Sequence, residues 1–414
     1  MRRIGFTPPE LAPDEGGPVR RRQVFYVPGY DPEANRRYRA LFVREFGRYA
    51  RRFDLPLHRV SPVVESPDGL SQSWTVEAGR AGWRTETAYE ILLWDDLVRQ
   101  DARRPLALSM LLLVAGLGHC LVTGKLFRLY GLNWKYGNVI LYPFVLTLLL
   151  VLLAVGLGLG LAQILGDLAG AVFGELLLDV AATGLGLLGG VGTVLAATPL
   201  LDRIFLRQLI NDWVFNWQHG NGWRPDYAAR VDAMAGHVAA RLDAGGADEV
   251  IIVGHSSGAL AAVEVAARVL ALRPAARLSV LTLGAGLPLV AINPRARRVR
   301  ADIAALVASD RVVWAEYQAP QDWMNFPGFN PALDLGPPAG RVANPLIRSA
   351  QFRELIDPQA YPQVRRRPFR MHFQFLMAND RPGEYDIFAL LFGPQSLRAR
   401  VLAPEVVPLR RPAA

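Results

Sequence analysis

Two kinds of hydrophobic pattern divide the chain. In the outer segments, short apolar runs bounded by turn residues alternate with stretches whose apolar positions recur at helical spacing. Gln23–Val27, Leu57–Val64 and Ser73–Ala78 predict strands. Glu33–Phe53 predicts an amphipathic helix with Tyr38, Leu41, Phe42, Phe46 and Tyr49 on one face. Thr85–Gln100 reads as a helix carrying Trp94-Asp95-Asp96; adjacent carboxylates on a helix do not face each other, so a surface or partner contact suits this pair better than acid–base work. Further on, Tyr227–Ala244 predicts a helix and Val250–Val253 a buried strand that runs through a tight turn into an Ala-rich helix. Arg277–Leu283 (strand), Ala301–Ser309 (helix) and Arg311–Tyr317 (strand) follow. This βαβαβ alternation predicts an α/β fold with a doubly wound, mostly parallel sheet.

Residues 105–201 follow neither pattern. Val139–Leu165 and a second stretch, about Gly170–Ala197, are each long enough to span a bilayer, which takes about 20 apolar residues. Gly156/Gly160 and Gly186/Gly190 fit small-xxx-small packing, so the pair predicts a close-packed transmembrane hairpin inserted into the α/β domain. Leu106–Gly124 is apolar but carries His119 and has basic residues on both flanks, which suits an interfacial or re-entrant helix. If the strands at Gln23–Val27 and Val250–Val253 share a sheet, the number of crossings is even. Lys125, Arg128 and Lys135 precede the hairpin and Arg203 and Arg207 follow it, while the connection carries only Asp167; the positive-inside rule then predicts that both outer segments are cytoplasmic. Glu175 and Asp179 share a face near the start of the second span, as snorkelling acids or as a transport or proton-relay pair. Asp202–Gln218, rich in Trp and Phe, predicts an amphipathic exit helix at head-group level. The expected organisation is a loose N-terminal arm (residues 1–22), a first part of the sheet domain (23–104), a membrane region (105–201) and the main part of the sheet domain (202–414).

Composition changes this picture little. The chain has 414 residues, 51% hydrophobic and 20% charged, and its mean hydropathy of +0.17 is high for a soluble enzyme. The net charge of +9 is almost all arginine, since Lys125 and Lys135 are the only lysines. That bias fits a GC-rich coding background, and no basic cluster interleaved with aromatics indicates a nucleic-acid partner. Attraction to an anionic bilayer surface, as at a bacterial inner membrane, is the better use of the charge. A single cysteine, Cys120, excludes an intramolecular disulfide and reads as a buried thiol in an apolar run. The first nine residues lack the apolar core of a signal peptide. No HExxH, paired CxxC, P-loop or dinucleotide fingerprint is present, so no metal or other cofactor is implied.

The chemistry gathers at Gly254-His255-Ser256-Ser257-Gly258, between the Val250–Val253 strand and its helix. The pattern is G-x-S-x-G, in which a serine occupies a strained strand-to-helix corner and a side chain at either glycine would collide with the neighbouring strand or helix. The helix N-terminus behind Ser256 offers free N–H groups to a developing oxyanion. In this element the chain resembles the α/β-hydrolase superfamily, in its lipase and esterase-like branch. The resemblance implies a second oxyanion donor on the loop after an early strand. Pro28-Gly29-Tyr30 looks like that loop, without the usual His-Gly pair, and also fits an ordinary strand-to-helix turn.

A nucleophilic serine needs a base, and the base an orienting acid. The chain order that the resemblance implies is Ser, then Asp or Glu, then His. His372, in Met371-His372-Phe373, is the only histidine after the elbow; as a lone histidine among apolar residues it also fits a core position, or a strand. The acid is expected past the end of the strand Arg311–Tyr317, where Asp322 lies; Asp310 precedes that strand and Asp334 is further out. The expectation is therefore a membrane-anchored serine hydrolase. Ser256 would be the nucleophile, His372 the base and Asp322 its orienting acid, with N–H groups of Ser257, Gly29 and Tyr30 at the oxyanion. Its substrate would be an amphiphilic ester, such as a lipid, drawn from the bilayer. A lipid acyltransferase using the same triad, and a non-catalytic membrane scaffold with a vestigial hydrolase domain, are the other classes the sequence admits.

Overall fold

The computed structural model describes residues 4–8, 17–170, 183–190, 192–193, 196, 206–336 and 340–403. Nine strands form one mixed sheet: β1 (Arg21–Val27), β2 (Leu57–Val60), β3 (Val64–Glu65), β4 (Ser71–Arg80), β5 (Trp83–Leu92), β6 (Glu249–His255), β7 (Leu278–Leu283), β8 (Val312–Gln318) and β9 (Leu346–Ser349). Their order is β2-β4-β5-β1-β6-β7-β8-β9, with β3 added to β4. From β5 to β9 every pairing is parallel; β4 and β2 are antiparallel at one edge. Val24 of β1 pairs with Ile251 of β6, so the segments on either side of the apolar region build a single sheet.

The period-two alternation of a strand explains the two cores. Phe25, Val27, Ile252 and Val280 point to one face, where they meet the helices α7 (Pro225–Ala244), α8 (Ser257–Leu272) and α9 (Arg297–Ala308). Val24, Tyr26, Ile251 and Leu281 point to the other, under α1 (Ala34–Arg52) and the C-terminal residues Phe388 to Val401. Helices on both faces account for the continuous burial of β7 and β8.

Several expectations change. Thr85–Gln100 is not one helix: β5 takes its first half and α2 (Asp95–Ala102) its second. Thr85, Thr87, Tyr89 and Ile91 are β-branched or aromatic and alternate inward, and Gly82, at φ +95°, turns the β4–β5 hairpin. Asp95 and Trp94 are buried rather than on the surface. The expected strand Leu57–Val64 is two short strands, and β9 was not anticipated. The described part of the N-terminal segment is tied down, since Phe6 exchanges two backbone hydrogen bonds with Ile347 of β9 and the Val19 N–H donates to Pro394.

The apolar region begins with α3 (Leu106–Val122), α4 (Lys125–Leu132) and α5 (Trp134–Gly170). α3 lies along α6 (Leu206–Gly220), so closely that a Cβ on Gly116 would fall 2.4 Å from the Trp213 ring. Leu113, Leu117 and Cys120 enter the first core, whereas Leu111, Val114 and Val122 of the same helix are exposed. α6 is packed into that core, where Ile210, Val214 and Phe215 are buried. Within α5, Trp134–Ile164 is long and apolar enough to cross a membrane, with mean hydropathy 2.8 and 12% of its most apolar window buried. Helical residues 183–190 pack against it, with Gly158 rather than Gly156 or Gly160 at the close approach: a Cβ on Gly158 would lie 2.6 Å from the Gly186 carbonyl. Most of the second expected span, with Glu175 and Asp179, lies outside the described residues.

Candidate active site

Ser256 joins the end of β6 to the start of α8 at φ +60°, a backbone conformation that a non-glycine residue holds only when its surroundings over-determine it. The restraints are visible. The Ser256 N–H donates to the Leu283 carbonyl at 3.0 Å, locking the corner to β7. A Cβ on Gly254 would lie 2.2 Å from the Gly258 carbonyl, and one on Gly258 would lie 2.3 Å from the Val27 carbonyl. Each glycine thus admits a backbone that any larger residue would push away: the helix at Gly254, the neighbouring strand end at Gly258.

The Pro28-Gly29-Tyr30 loop leaves the parallel neighbour β1 and meets the corner directly, since a Cβ on Gly29 would sit 3.3 Å from the Ser256 Cβ. Three contacts hold it. Trp94 Nε1 donates to the Pro28 carbonyl at 2.9 Å, Gln208 Nε2 donates to the Tyr30 carbonyl at 2.7 Å, and the Tyr30 hydroxyl donates to Asp101 at 3.0 Å. Among the described residues the N–H groups of Tyr30 and Ser257 donate to no protein acceptor, whereas that of Gly29 is directed at the Tyr38 hydroxyl.

His372 closes the short helix Pro368–His372, downstream of β9, and is not in a strand. Its Nδ1 lies 2.7 Å from Asp322 Oδ2, and both residues are buried. Asp322 follows β8 and is fixed by the Met324 N–H, which donates to its other oxygen at 2.9 Å. The Asp322 contact makes Nδ1 the protonated nitrogen and leaves Nε2, buried and without a partner, as the lone pair. The other candidate acids are engaged elsewhere: Asp310 with Arg341, and Asp334 with the Asn330 N–H. Gly284, at φ +54°, leaves room for the ring, since a Cβ there would lie 3.3 Å from His372 Cε1 and 2.6 Å from Phe375.

Ser256, His372, Gly29, Tyr30 and Ser257 all line one cavity of about 470 Å³. Its remaining wall is largely apolar, with Leu41, Leu209, Met324 and Phe373 among the lining residues. The structure therefore brings together every residue expected from the sequence, with Gly254 and Gly258 shaping the corner beneath.

Two further side chains were not anticipated in this site. The His255 ring lies tilted against that of His372 with centroids 4.5 Å apart, and its Nε2 donates to the His372 carbonyl at 3.2 Å. Burial and the adjacent His372 hold its pKa well below the ordinary histidine value, so it stays neutral. Asp212, on α6, accepts the Ser257 hydroxyl at 2.8 Å and also lines the cavity. Burial raises its carboxyl to about 6, against the opposing pull of the Ser257 and Asn216 hydrogen bonds and of His372. No sequence motif marks Asp212; its place follows from the packing of α6 over the α8 N-terminus. Among the described residues no cluster of three or more His, Cys, Asp or Glu side chains could hold a metal ion.

Fold and site together define an α/β protein with a mostly parallel mixed sheet and a serine at a strained strand-to-helix corner beside a histidine–aspartate pair. No family model, no curated protein and no solved structure matches the chain.

Proposed function

We propose that this protein is a membrane-anchored serine hydrolase of the α/β-hydrolase type, acting on an acyl ester of an amphiphilic, lipid-like molecule. One observation carries the reading. His372, hydrogen-bonded through Nδ1 to buried Asp322, has an unpartnered Nε2 and lines the same cavity as Ser256. His255 Nδ1 is buried and unpartnered too, so what sets His372 apart is the pairing of its Nδ1 with buried Asp322 and its place on the cavity wall with Ser256.

In the proposed reaction Ser256 Oγ attacks the ester carbonyl and His372 Nε2 takes its proton, while Asp322 holds the ring and stabilises the imidazolium. The carbonyl oxygen, now negative, accepts hydrogen bonds from the N–H groups of Ser257 and Tyr30, which have no other acceptor to leave. Collapse passes the His372 proton to the leaving alcohol. Water then attacks the acyl-enzyme, its proton going to His372, and the acid departs with Ser256 restored. Ser256 Oγ makes no hydrogen bond among the described residues, and such contacts commonly tighten only with substrate bound. The substrate class is supported by the apolar cavity wall and by the long apolar helix α5 in the same chain.

The test is reaction of the detergent-solubilised protein with a fluorophosphonate probe. Labelling is expected in the wild type and absent in Ser256→Ala and His372→Ala. A folded wild type that does not label would overturn the hydrolase reading.

A further inference from the structure

A second cavity, of about 300 Å³, lies away from Ser256 where the α3–α4 turn meets the loop Ile292–Arg295. His119, Lys125, Arg128 and Arg295 line it, and no acid does. Lys125 is only 9% exposed, yet its ammonium makes no hydrogen bond among the described residues. A cation whose side chain is mostly buried loses part of its hydration, which a counter-charge in the cavity would offset. The contrast with the only other lysine is instructive: Lys135 Nζ donates to the Pro320 carbonyl at 3.1 Å. Arg128 and Arg295 likewise meet no carboxylate: Arg128 donates to the Asp334 carbonyl oxygen, and Arg295 reaches the His119 ring.

His119 lies between two donors on the wall of this cavity. Trp217 Nε1 lies 3.3 Å from its Nδ1, and Arg295 Nη1 lies 3.3 Å from its Nε2. Tryptophan and arginine only donate, and a neutral imidazole accepts at one nitrogen only. At most one of these two donors is therefore satisfied by the ring, and the other is free to donate to an anion in the cavity. The cavity also receives the start of α4, where Gly124 at φ +70° provides no side-chain cap, so the first N–H groups of that helix are unsatisfied.

We propose that this cavity binds a phosphate group, held by Lys125, Arg128, Arg295 and the N-terminus of α4. An anion oxygen would give the Lys125 ammonium its partner, accept from Arg295 or from His119, and cap α4. Phosphate suits the site because it offers several acceptor oxygens to converging donors. The phosphate has two possible sources, an anionic lipid head group or a soluble phosphate compound. Val122 (88% exposed) and Phe127 (66% exposed) beside the same turn provide an apolar rim that acyl chains could cover.

The full-length protein in a neutral detergent would be titrated with inorganic phosphate, dihexanoyl phosphatidylglycerol and dihexanoylglycerol, following tryptophan fluorescence, which Trp217 reports beside His119. Saturable binding of at least one phosphate probe is expected, weakened tenfold or more by Lys125→Met and by Arg295→Gln. Lys125→Met removes a buried unpaired charge and Arg295 is exposed, so both variants should fold; gel filtration checks this. Phosphatidylglycerol binding at least tenfold more tightly than inorganic phosphate would assign the site to lipid head groups, and the opposite or equal order to soluble phosphates. Absence of saturable binding of both phosphate probes, or affinity for them unchanged in both variants, would overturn the proposal; dihexanoylglycerol, which the Ser256 cavity can take, should bind equally to wild type and variants.

Discussion

The two cavities hold charge in opposite ways. Beside Ser256 the acids and cations find partners within the protein: Asp322 with His372 Nδ1, Asp212 with the Ser257 and Asn216 side chains, and Arg37, Arg44 and Arg370 on the same wall with Asp31, Glu45 and Gln374. At the α3–α4 turn three cations converge with no acid among them. A cavity whose acid and base already pair is arranged to move a proton internally, and its substrate need bring no charge. A cavity with unpaired cations is incomplete until an anion arrives from outside. The first arrangement suits chemistry and the second suits recognition.

The largest expected effect breaks the first cavity and leaves the second intact. Ser256→Ala or His372→Ala should lower ester hydrolysis about 10⁴-fold or more, measured as kcat with a chromogenic acyl ester. Phosphate affinity at the α3–α4 cavity should not move. Asp322→Asn comes next, at about 10³ to 10⁴ in kcat, because the neutral amide no longer stabilises the imidazolium and can hold the wrong tautomer. A smaller loss than tenfold for Asp322→Asn would mean that another group orients His372. Retained hydrolysis in Ser256→Ala would remove the proposed chemistry altogether.

Gly258→Ala tests the corner itself. The new Cβ would lie 2.3 Å from the Val27 carbonyl and 2.4 Å from that of Pro28, both backbone atoms with little freedom to yield. Overpacking of this kind costs about 1–3 kcal/mol, and the strand end that must give way carries the proposed oxyanion loop. Both a lower melting temperature and fluorophosphonate labelling slowed about 100-fold are expected. Normal stability with normal labelling would show that β1 and α8 are less tightly apposed than described. Gly222, at φ +76° with open space around it, is the control: alanine there should leave labelling unchanged.

What was legible in the sequence follows from how local each feature is. The corner could be read because the strand, two glycines, the serine and the helix are contiguous. His372 followed from chain order, and Asp322 from its place just past a strand end. Thr85–Gln100 misled because its first half is a strand that carries Glu86, exposed, and Glu90, buried against Ser71 and His237, and glutamates also favour helices. β9 is four residues long and follows Pro345, too short for a periodic signal. Asp212 and the basic cavity were not legible, because each exists only where distant segments meet. Ser257 and Asp212 are joined only when α6 packs over α8, and Arg295 reaches His119 across 176 residues of sequence. The expected helix contact Gly156/Gly160 had the right motif but the wrong register, since spacing alone cannot say which small residue faces the partner.

The smallest predicted effect concerns the carboxyl the sequence did not reveal. Asp212, at about 6 in the folded protein against 3.8 ordinarily, binds its proton more tightly folded than unfolded. Between those two values the folded state holds more protons, so this group's contribution to stability falls as pH rises from about 4 to about 6, and the penalty is complete above that. Asp212→Asn removes the penalty while keeping an acceptor for the Ser257 hydroxyl. The melting temperature should rise by about 3 °C at pH 8 and stay unchanged at pH 4. Activity sharpens the comparison between the cavities. An ionised Asp212 lies near the N–H donors proposed for the oxyanion, so its charge opposes the negative charge developing there. Asp212→Asn should therefore raise kcat severalfold at pH 8 and flatten the pH profile near 6, with no change in the phosphate affinity of the other cavity. A fall in kcat at every pH would instead mean that the carboxylate itself takes part, by orienting Ser257 or the attacking water.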